Sequence, residues 1–358
     1  MRAATGVGDE VEATMRAVRL TAPGVLEQVA APTPTAGPGQ VLLAVAAVGA
    51  CHSDLHILDA PPGLFPTPMT LGHEIAGTVE TVGAGVTGWS PGDRAAVYGI
   101  IGCGTCRACL RGRENQCRRV PVGGIGLSRD GGLADYVVVP ASRLLPIGEL
   151  DLIQAAPLTD AGLTPYHAVE LARPALRPGT YCVVIGIGGL GHMAVQILAA
   201  TTAVRIIAVD TSMAALDLAT RMGAHHVVQA GPEAIETIRA IVGPAPDGAD
   251  VVIDCVGVDA TLTTARTVVS TGGRLLLVGL GGGTLPVRPV ADEPPTLPLE
   301  TSVEVPFWGT RAELQEVIAM GQLGLLTADV QTFPLERAPE AYDLLRRGEI
   351  HGRAVIVP

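Results

Sequence analysis

The sequence predicts an α/β chain of two units, one irregular and β-rich, the other a doubly wound parallel sheet. Three observations carry that expectation. The chain has 358 residues, enough for two cores. From residue 15 to 140 it offers short β-like runs broken by Gly and Pro clusters. From about residue 168 apolar strands alternate with helical stretches, the grain of βαβ units.

In order, residues 1–14, MRAATGVGDEVEAT, read as an extension. The β-rich unit is expected over 15–167 and 310–358, with runs at 41–48, 75–82, 94–97 and 133–139 and no long amphipathic helix in its first part. The parallel-sheet unit is expected over 168–309, with strands at 181–185, 205–209, 226–228, 251–255 and 274–278. Cys182 and Cys255 fall within these strands and read as inert core thiols. Residues 281–298 read as a Gly/Pro-rich loop. Helical stretches at 311–320 and 342–347 and a strand at 354–357 return to the first unit.

Aromatic residues are only 3%, so the core must be built from small aliphatic side chains. The net charge is −11 and no basic block occurs, which argues against nucleic acid or an anionic membrane as partner. The extension has no apolar segment that could act as a secretory signal, and glycines interrupt the long apolar run at 181–200, so the cytoplasm is the expected location.

Residues 102–117 read GCGTCRACLRGRENQC and place Cys103, Cys106, Cys109 and Cys117 at spacings C-x2-C-x2-C-x7-C. Four thiolates at such spacings close tetrahedrally on one zinc and leave no open coordination position, so this ion is structural. A disulfide is the competing reading, but cysteines three residues apart are poorly placed for a relaxed bridge.

Gly186-Ile187-Gly188-Gly189-Leu190-Gly191 directly follows the 181–185 strand and opens a helix expected at 192–200. Such glycines admit a sharp turn and bring backbone close to a pyrophosphate seated at the helix N-terminus, the Rossmann arrangement. Asp210 ends the next strand, where a carboxylate accepts from the adenosine ribose hydroxyls and repels a 2′-phosphate. NAD is therefore expected over NADP.

Cys51-His52-Ser53-Asp54-Leu55-His56 and Gly72-His73-Glu74 concentrate ligating and proton-carrying side chains. A catalytic zinc needs about three protein ligands and an open position for substrate. Cys51 and His73 supply two of them.

Taken together, the CHSDLH segment, the GHE triplet, the four-cysteine loop and the GIGGLG turn, in that order, resemble the medium-chain zinc-dependent alcohol dehydrogenases, from Met15 to Pro358. The resemblance implies a GroES-like catalytic domain beside the Rossmann domain, two zinc ions per chain, and Cys51 and His73 as catalytic ligands with Asp54 positioning His73. It implies Ser53 as first proton acceptor with relay to His56, and contacts from His52 and Arg353 to the cofactor pyrophosphate. Thr164, Val256, Gly257, Val278 and Gly279 join the expected cofactor contacts. The family's usual third ligand is a cysteine, whereas the matching stretch at 157–166, PLTDAGLTPY, has Asp160 there. Asp160 as ligand, similar to some bacterial secondary-alcohol dehydrogenases, competes with Asp160 as a helix cap and Glu74 as ligand. The expected reaction is hydride transfer between NAD and small alcohols, ketones or aldehydes, in a homotetramer or homodimer. Ser53, Leu64, Phe65, Phe307 and Trp308 are the candidate substrate-pocket residues, with the last two either walling the pocket or sealing a domain seam. A polyol or threonine dehydrogenase, and a non-enzymatic cofactor-binding relative, are the other readings.

Overall fold

The computed structural model describes residues 13–120, 124–243, 247–288 and 296–358. Its two largest sheets, one all-parallel and one mixed, accord with the expected fold class. Six strands form an all-parallel sheet in the order His226–Gln229, Arg205–Asp210, Tyr181–Ile185, Ala249–Asp254, Val269–Leu277, Ser302–Glu304. Its central strands are nearly continuous apolar runs because helices cover both faces, and Val183, Val184, Ile206 and Val252 are fully buried. The helix Gly191–Thr201 starts at the glycine turn, and its first eight residues are buried between this sheet and the helix Leu163–Ala172. Strand order reverses between Tyr181–Ile185 and Ala249–Asp254, which opens a crevice at their carboxyl ends.

Two details of this sheet differ from expectation. Cys255 lies one residue beyond its strand, because the Asp254 carboxylate accepts from the N–H groups of Val256 (2.9 Å) and Gly257 (3.0 Å) and turns the chain there. Ser302–Glu304 is an additional edge strand, too short and polar to show a period in the sequence.

The second sheet has seven strands. Gln40–Gly49 is its hub, pairing antiparallel with Glu74–Val82, Tyr136–Pro140 and Arg353–Val357. Arg94–Val97 and Leu144–Pro146 extend it on one side and Val330–Pro334 on the other. The C-terminal strand thus returns to the β-rich unit as expected. A separate hairpin, Thr14–Ala22 with Val25–Pro32, adds Met69–Thr70 to make a three-stranded sheet. Of the expected extension, residues 1–12 lie outside the described residues, and Thr14 already begins the hairpin. The sheet register also sets up the site, since Gly49 pairs with both Glu74 and Val355. A Cβ at Gly49 would lie within 1.6 Å of Glu74 Oε2, so glycine there makes room for a buried carboxylate.

At the crevice, a Cβ on Gly191 would fall 1.8 Å from the Gly186 carbonyl oxygen, whereas one on Gly188 would meet nothing within 4 Å. Gly191→Ala should therefore cost more than about 2 kcal/mol. Thermal unfolding of the free protein should show a melting temperature lower by about 4 °C or more for Gly191→Ala, with Gly188→Ala close to the unmodified protein.

Candidate metal and cofactor site

Cys51 precedes the short helix His52–Leu58, and the carboxylate of Asp54 in its first turn accepts from the Cys51 N–H at 3.0 Å. His73 lies just before the strand Glu74–Val82 and follows Gly72, whose φ of 91° and whose missing Cβ, 2.6 Å from Val48 Cγ1, both require glycine. Asp160 comes from a π-helical turn, Leu158–Gly162, between the helices Leu152–Pro157 and Leu163–Ala172. Single π turns widen a helix and re-aim side chains, and they recur at functional sites.

These elements bring Cys51 Sγ within 3.7 Å and His73 Nε2 within 3.5 Å of Asp160 Oδ2, with all three ligand atoms within 4.8 Å of one another. A tetrahedron with metal–donor distances of about 2.0–2.3 Å has edges of about 3.3–3.8 Å, so the trio fits zinc. One soft sulfur, one imidazole and one carboxylate are a suitable donor set for that ion.

Behind the trio the polar groups are paired. Asp54 Oδ1 lies 3.1 Å from His73 Nδ1, which orients Nε2 toward Asp160, and the Tyr342 hydroxyl donates to Asp54 Oδ2 at 2.8 Å. Thr164 donates to Asp160 Oδ1 at 2.7 Å. Glu74 accepts from the Ala161 N–H at 2.8 Å and from Arg353 Nε and Nη2 at 2.9 and 2.5 Å. Both Glu74 oxygens are thus engaged, and Asp160 lies inside a continuous helical run instead of capping a helix.

The charges respond to this packing. Burial opposes ionisation of Asp160, yet the hydrogen bond and charge of His73, the charge of Arg353 and the Thr164 hydroxyl pull it down to about 2. Burial likewise opposes a charged His73, but Asp54 and the hydrogen bonds to Asp160, Asp54 and Cys51 raise it well above the usual value. Burial pushes Glu74 up against the pull of Arg353.

Ser53 Oγ is 3.6 Å from Cys51 Sγ, and His56, one turn further along the same helix, is exposed. Trp308 is 3% exposed, with its ring 5.5 Å from that of His73 in an edge arrangement, while Phe307 is 38% exposed. Leu64 is exposed and Phe65 packs against the β-rich core.

The four-cysteine loop is a separate cluster. Cys106 Sγ lies 3.5 Å from Cys109 Sγ and 3.9 Å from Cys117 Sγ, all four sulfurs lie within 4.8 Å of one another, and every cysteine is a free thiol. Backbone and side-chain hydrogen bonds from Thr105 lower Cys103 to about 6, while burial and the neighbouring sulfurs push Cys109 up to about 12. Four sulfurs this close call for a shared cation.

At the crevice Gly186 has φ 85°, and a Cβ there would strike Val256 Cγ2 at 2.3 Å. Val256, Gly257, Val278 and Gly279 follow the carboxyl ends of the neighbouring strands, where the Gly279 N–H donates to the Asp254 carbonyl at 2.9 Å. A Cβ on Gly189 would be 2.7 Å from Arg353 Nη1, so Arg353 spans the space between Glu74 and the glycine turn. His52 is exposed at its surface, while partial desolvation and the charges of Arg353 and His56 lower its pKa.

The sequence marks Asp210 as a candidate ribose acceptor but does not show that it accepts from Ile187 N–H (2.6 Å) and Ser212 N–H (2.8 Å), which ties the glycine turn to its own strand. Sequence reasoning missed two further residues. Asp254 shapes the opposite loop. Tyr342 joins Asp54, and its only trace in the sequence is a rare aromatic residue on the apolar stripe of the C-terminal helix Ala338–Arg346.

Comparison with known proteins identifies the family. Residues 37–149 match the alcohol dehydrogenase GroES-like domain, and residues 189–322 match the zinc-binding dehydrogenase domain. The NAD-dependent alcohol dehydrogenase of Sulfurisphaera tokodaii is 37% identical over 96% of this chain and 99% of its own length. The crystal structure of the Aeropyrum pernix alcohol dehydrogenase superposes with a TM-score of 0.87 at 33% identity, covering 96% of this chain and all of that one. Acetophenone reductase from Geotrichum candidum, solved with NAD, gives 0.82 at 30% identity over 96% of this chain and 97% of its own. The chain belongs to the medium-chain zinc-dependent alcohol dehydrogenase family, as an enzyme that interconverts alcohols and carbonyl compounds with NAD and zinc.

Proposed function

We propose that Cys51, His73 and Asp160 form the catalytic zinc centre of a dehydrogenase for hydrophobic secondary alcohols and their ketones. The convergence of these three ligand atoms beside Ser53, at the mouth of the glycine-turn crevice, carries the reading. When bound, zinc supplies Lewis acidity toward the substrate oxygen, and NAD supplies the hydride acceptor. Ser53 takes the hydroxyl proton and His56, exposed one turn away, passes it to solvent. Asp54 and Tyr342 hold the His73 ring so that Nε2 faces the other two ligand atoms. Glu74 and Arg353 back the centre, with Arg353 and His52 turned toward the pyrophosphate seat. One thiolate and one carboxylate beside a neutral imidazole give the same formal charge as the family's usual Cys, His, Cys set.

The four-cysteine cluster holds the second, structural ion. The catalytic domain takes in residues 15–167 and 310–358 and the NAD domain 168–309, in a cytoplasmic homodimer or homotetramer. The substrate class rests on Phe307, Leu64 and Phe65 as apolar candidates, with the Trp308 ring behind His73. A similar solved protein, the acetophenone reductase, takes a hydrophobic ketone by its name.

Zinc analysis should find two ions per chain. Asp160→Asn should lower occupancy of one of them by about tenfold or more, together with kcat, while NAD binding persists. Unchanged zinc and rate would move the third ligand to Glu74. Asp210→Gly loses both the ribose acceptor and the tie to Ile187, so NAD affinity measured by fluorescence titration should fall by about tenfold or more and the NAD/NADP preference should approach unity. On a panel of substrates, kcat/KM should favour apolar secondary alcohols over glucitol-like polyols, whose hydroxyls would lack partners. A preference for polyols would reject the assignment.

A further inference from the structure

We propose that Trp308 is a positioning residue for the catalytic metal centre and that the four-cysteine lobe holds it in place, so that the two metal sites are coupled. The inference rests on the reading of Cys51, His73 and Asp160 as zinc ligands. Trp308 touches two of the three ligand-bearing segments. Its ring packs edge-on to His73, and its Nε1–H donates to the Thr159 carbonyl at 2.8 Å, in the π turn that carries Asp160. The ring also fills the space a side chain at Gly99 would need, since a Cβ there would be 2.7 Å from it. Neither contact reaches substrate. Both fix where the ligands point.

The backbone of Trp308 is in the left-handed region, φ 52°, which side chains other than glycine rarely adopt and which surrounding contacts must enforce. Those contacts flank it. Asn115 Nδ2 donates to the Phe307 carbonyl at 3.0 Å, and the buried Tyr98 hydroxyl donates to the Gly309 carbonyl at 2.8 Å. The Arg143 guanidinium covers the Tyr98 ring at 5.7 Å and lies 3.6 Å from Glu114. Glu114 and Asn115 belong to the single-turn helix Glu114–Gln116, held between Cys109 and Cys117. One arm of the clamp therefore starts in the loop that the cysteine cluster closes, and the other is reached from that loop through Glu114 and Arg143. A lobe closed on its ion presents Asn115 and Glu114 in register with Phe307–Gly309, and an open lobe releases them.

The test uses the full-length enzyme with cobalt in both sites, comparing Trp308→Phe, which keeps an apolar ring but removes the N–H, with Asn115→Ala. Release of the catalytic cobalt to a chelator should be about tenfold faster in Trp308→Phe, in line with losses of groups that orient metal ligands. Its visible d–d bands should shift, and release from the cysteine cluster should be unchanged. Asn115→Ala should move catalytic-site release and spectrum in the same direction by about threefold. A folded Trp308→Phe with unmodified release and spectrum overturns the positioning role, and unchanged values in Asn115→Ala overturn the coupling. If Trp308→Phe does not fold, Asn115→Ala decides alone. An unmodified protein that takes up only the cobalt lost in Cys103→Ser would instead overturn the underlying ligand assignment.

Discussion

The site depends on a buried ion pair between Arg353 and Glu74, two residues 279 positions apart. Taking both charges out of water is costly, and only good geometry with further hydrogen bonds offsets it. Here Glu74 is met by two guanidinium nitrogens and the Ala161 N–H. Arg353 heads the last strand, Glu74 heads the strand that follows His73, and Gly49 between them leaves the space. Removing one partner would strand the other charge in the interior, a loss of about 3–5 kcal/mol. The pair fixes the C-terminal strand against the hub of the β-rich sheet, the π turn of Asp160 against the same sheet, and a cation facing Gly189.

Around that pair the same arrangement repeats: groups placed to face the metal or cofactor are held from behind by hydrogen bonds, some local and some from elements distant in sequence. Asp54 and Tyr342 stand behind His73, Thr164 stands beside Asp160, and Asp254 and Asp210 hold the two loops of the crevice. The glycine turn is tied to the C-terminal segment as well, since His192 Nδ1 contacts the Gly188 carbonyl at 2.8 Å, its Nε2 accepts from the Asp329 N–H at 3.3 Å, and the Asp329 carbonyl accepts from the Arg353 N–H at 2.7 Å. The cofactor crevice and the metal centre are thus parts of one hydrogen-bonded frame.

What could be read from the sequence was the chemistry with local spacing. The four cysteines, the glycine turn and the strand Tyr181–Ile185 announce themselves within a few residues, because their physical requirements are local. Asp160 could be picked out only through the resemblance, since one carboxylate in an apolar helix has no period of its own. The Glu74–Arg353 pair, Tyr342 on Asp54 and the clamp on Trp308 were not legible, because each joins residues that only the sheet register or helix docking brings together. The hairpin Thr14–Ala22 with Val25–Pro32 and the edge strand Ser302–Glu304 are not legible, because half-exposed strands carry weak apolar alternation.

Anomalous diffraction at the zinc edge from crystals of the full-length enzyme tests the central claim most directly. The account predicts two peaks per chain, one within the four sulfurs and one at about 2.3 Å from Cys51 Sγ, 2.0–2.1 Å from His73 Nε2 and 2.0–2.2 Å from an Asp160 oxygen, with Glu74 still on Arg353. A single peak in the cysteine loop, or a second peak bound by Glu74 with Asp160 turned away, would contradict it.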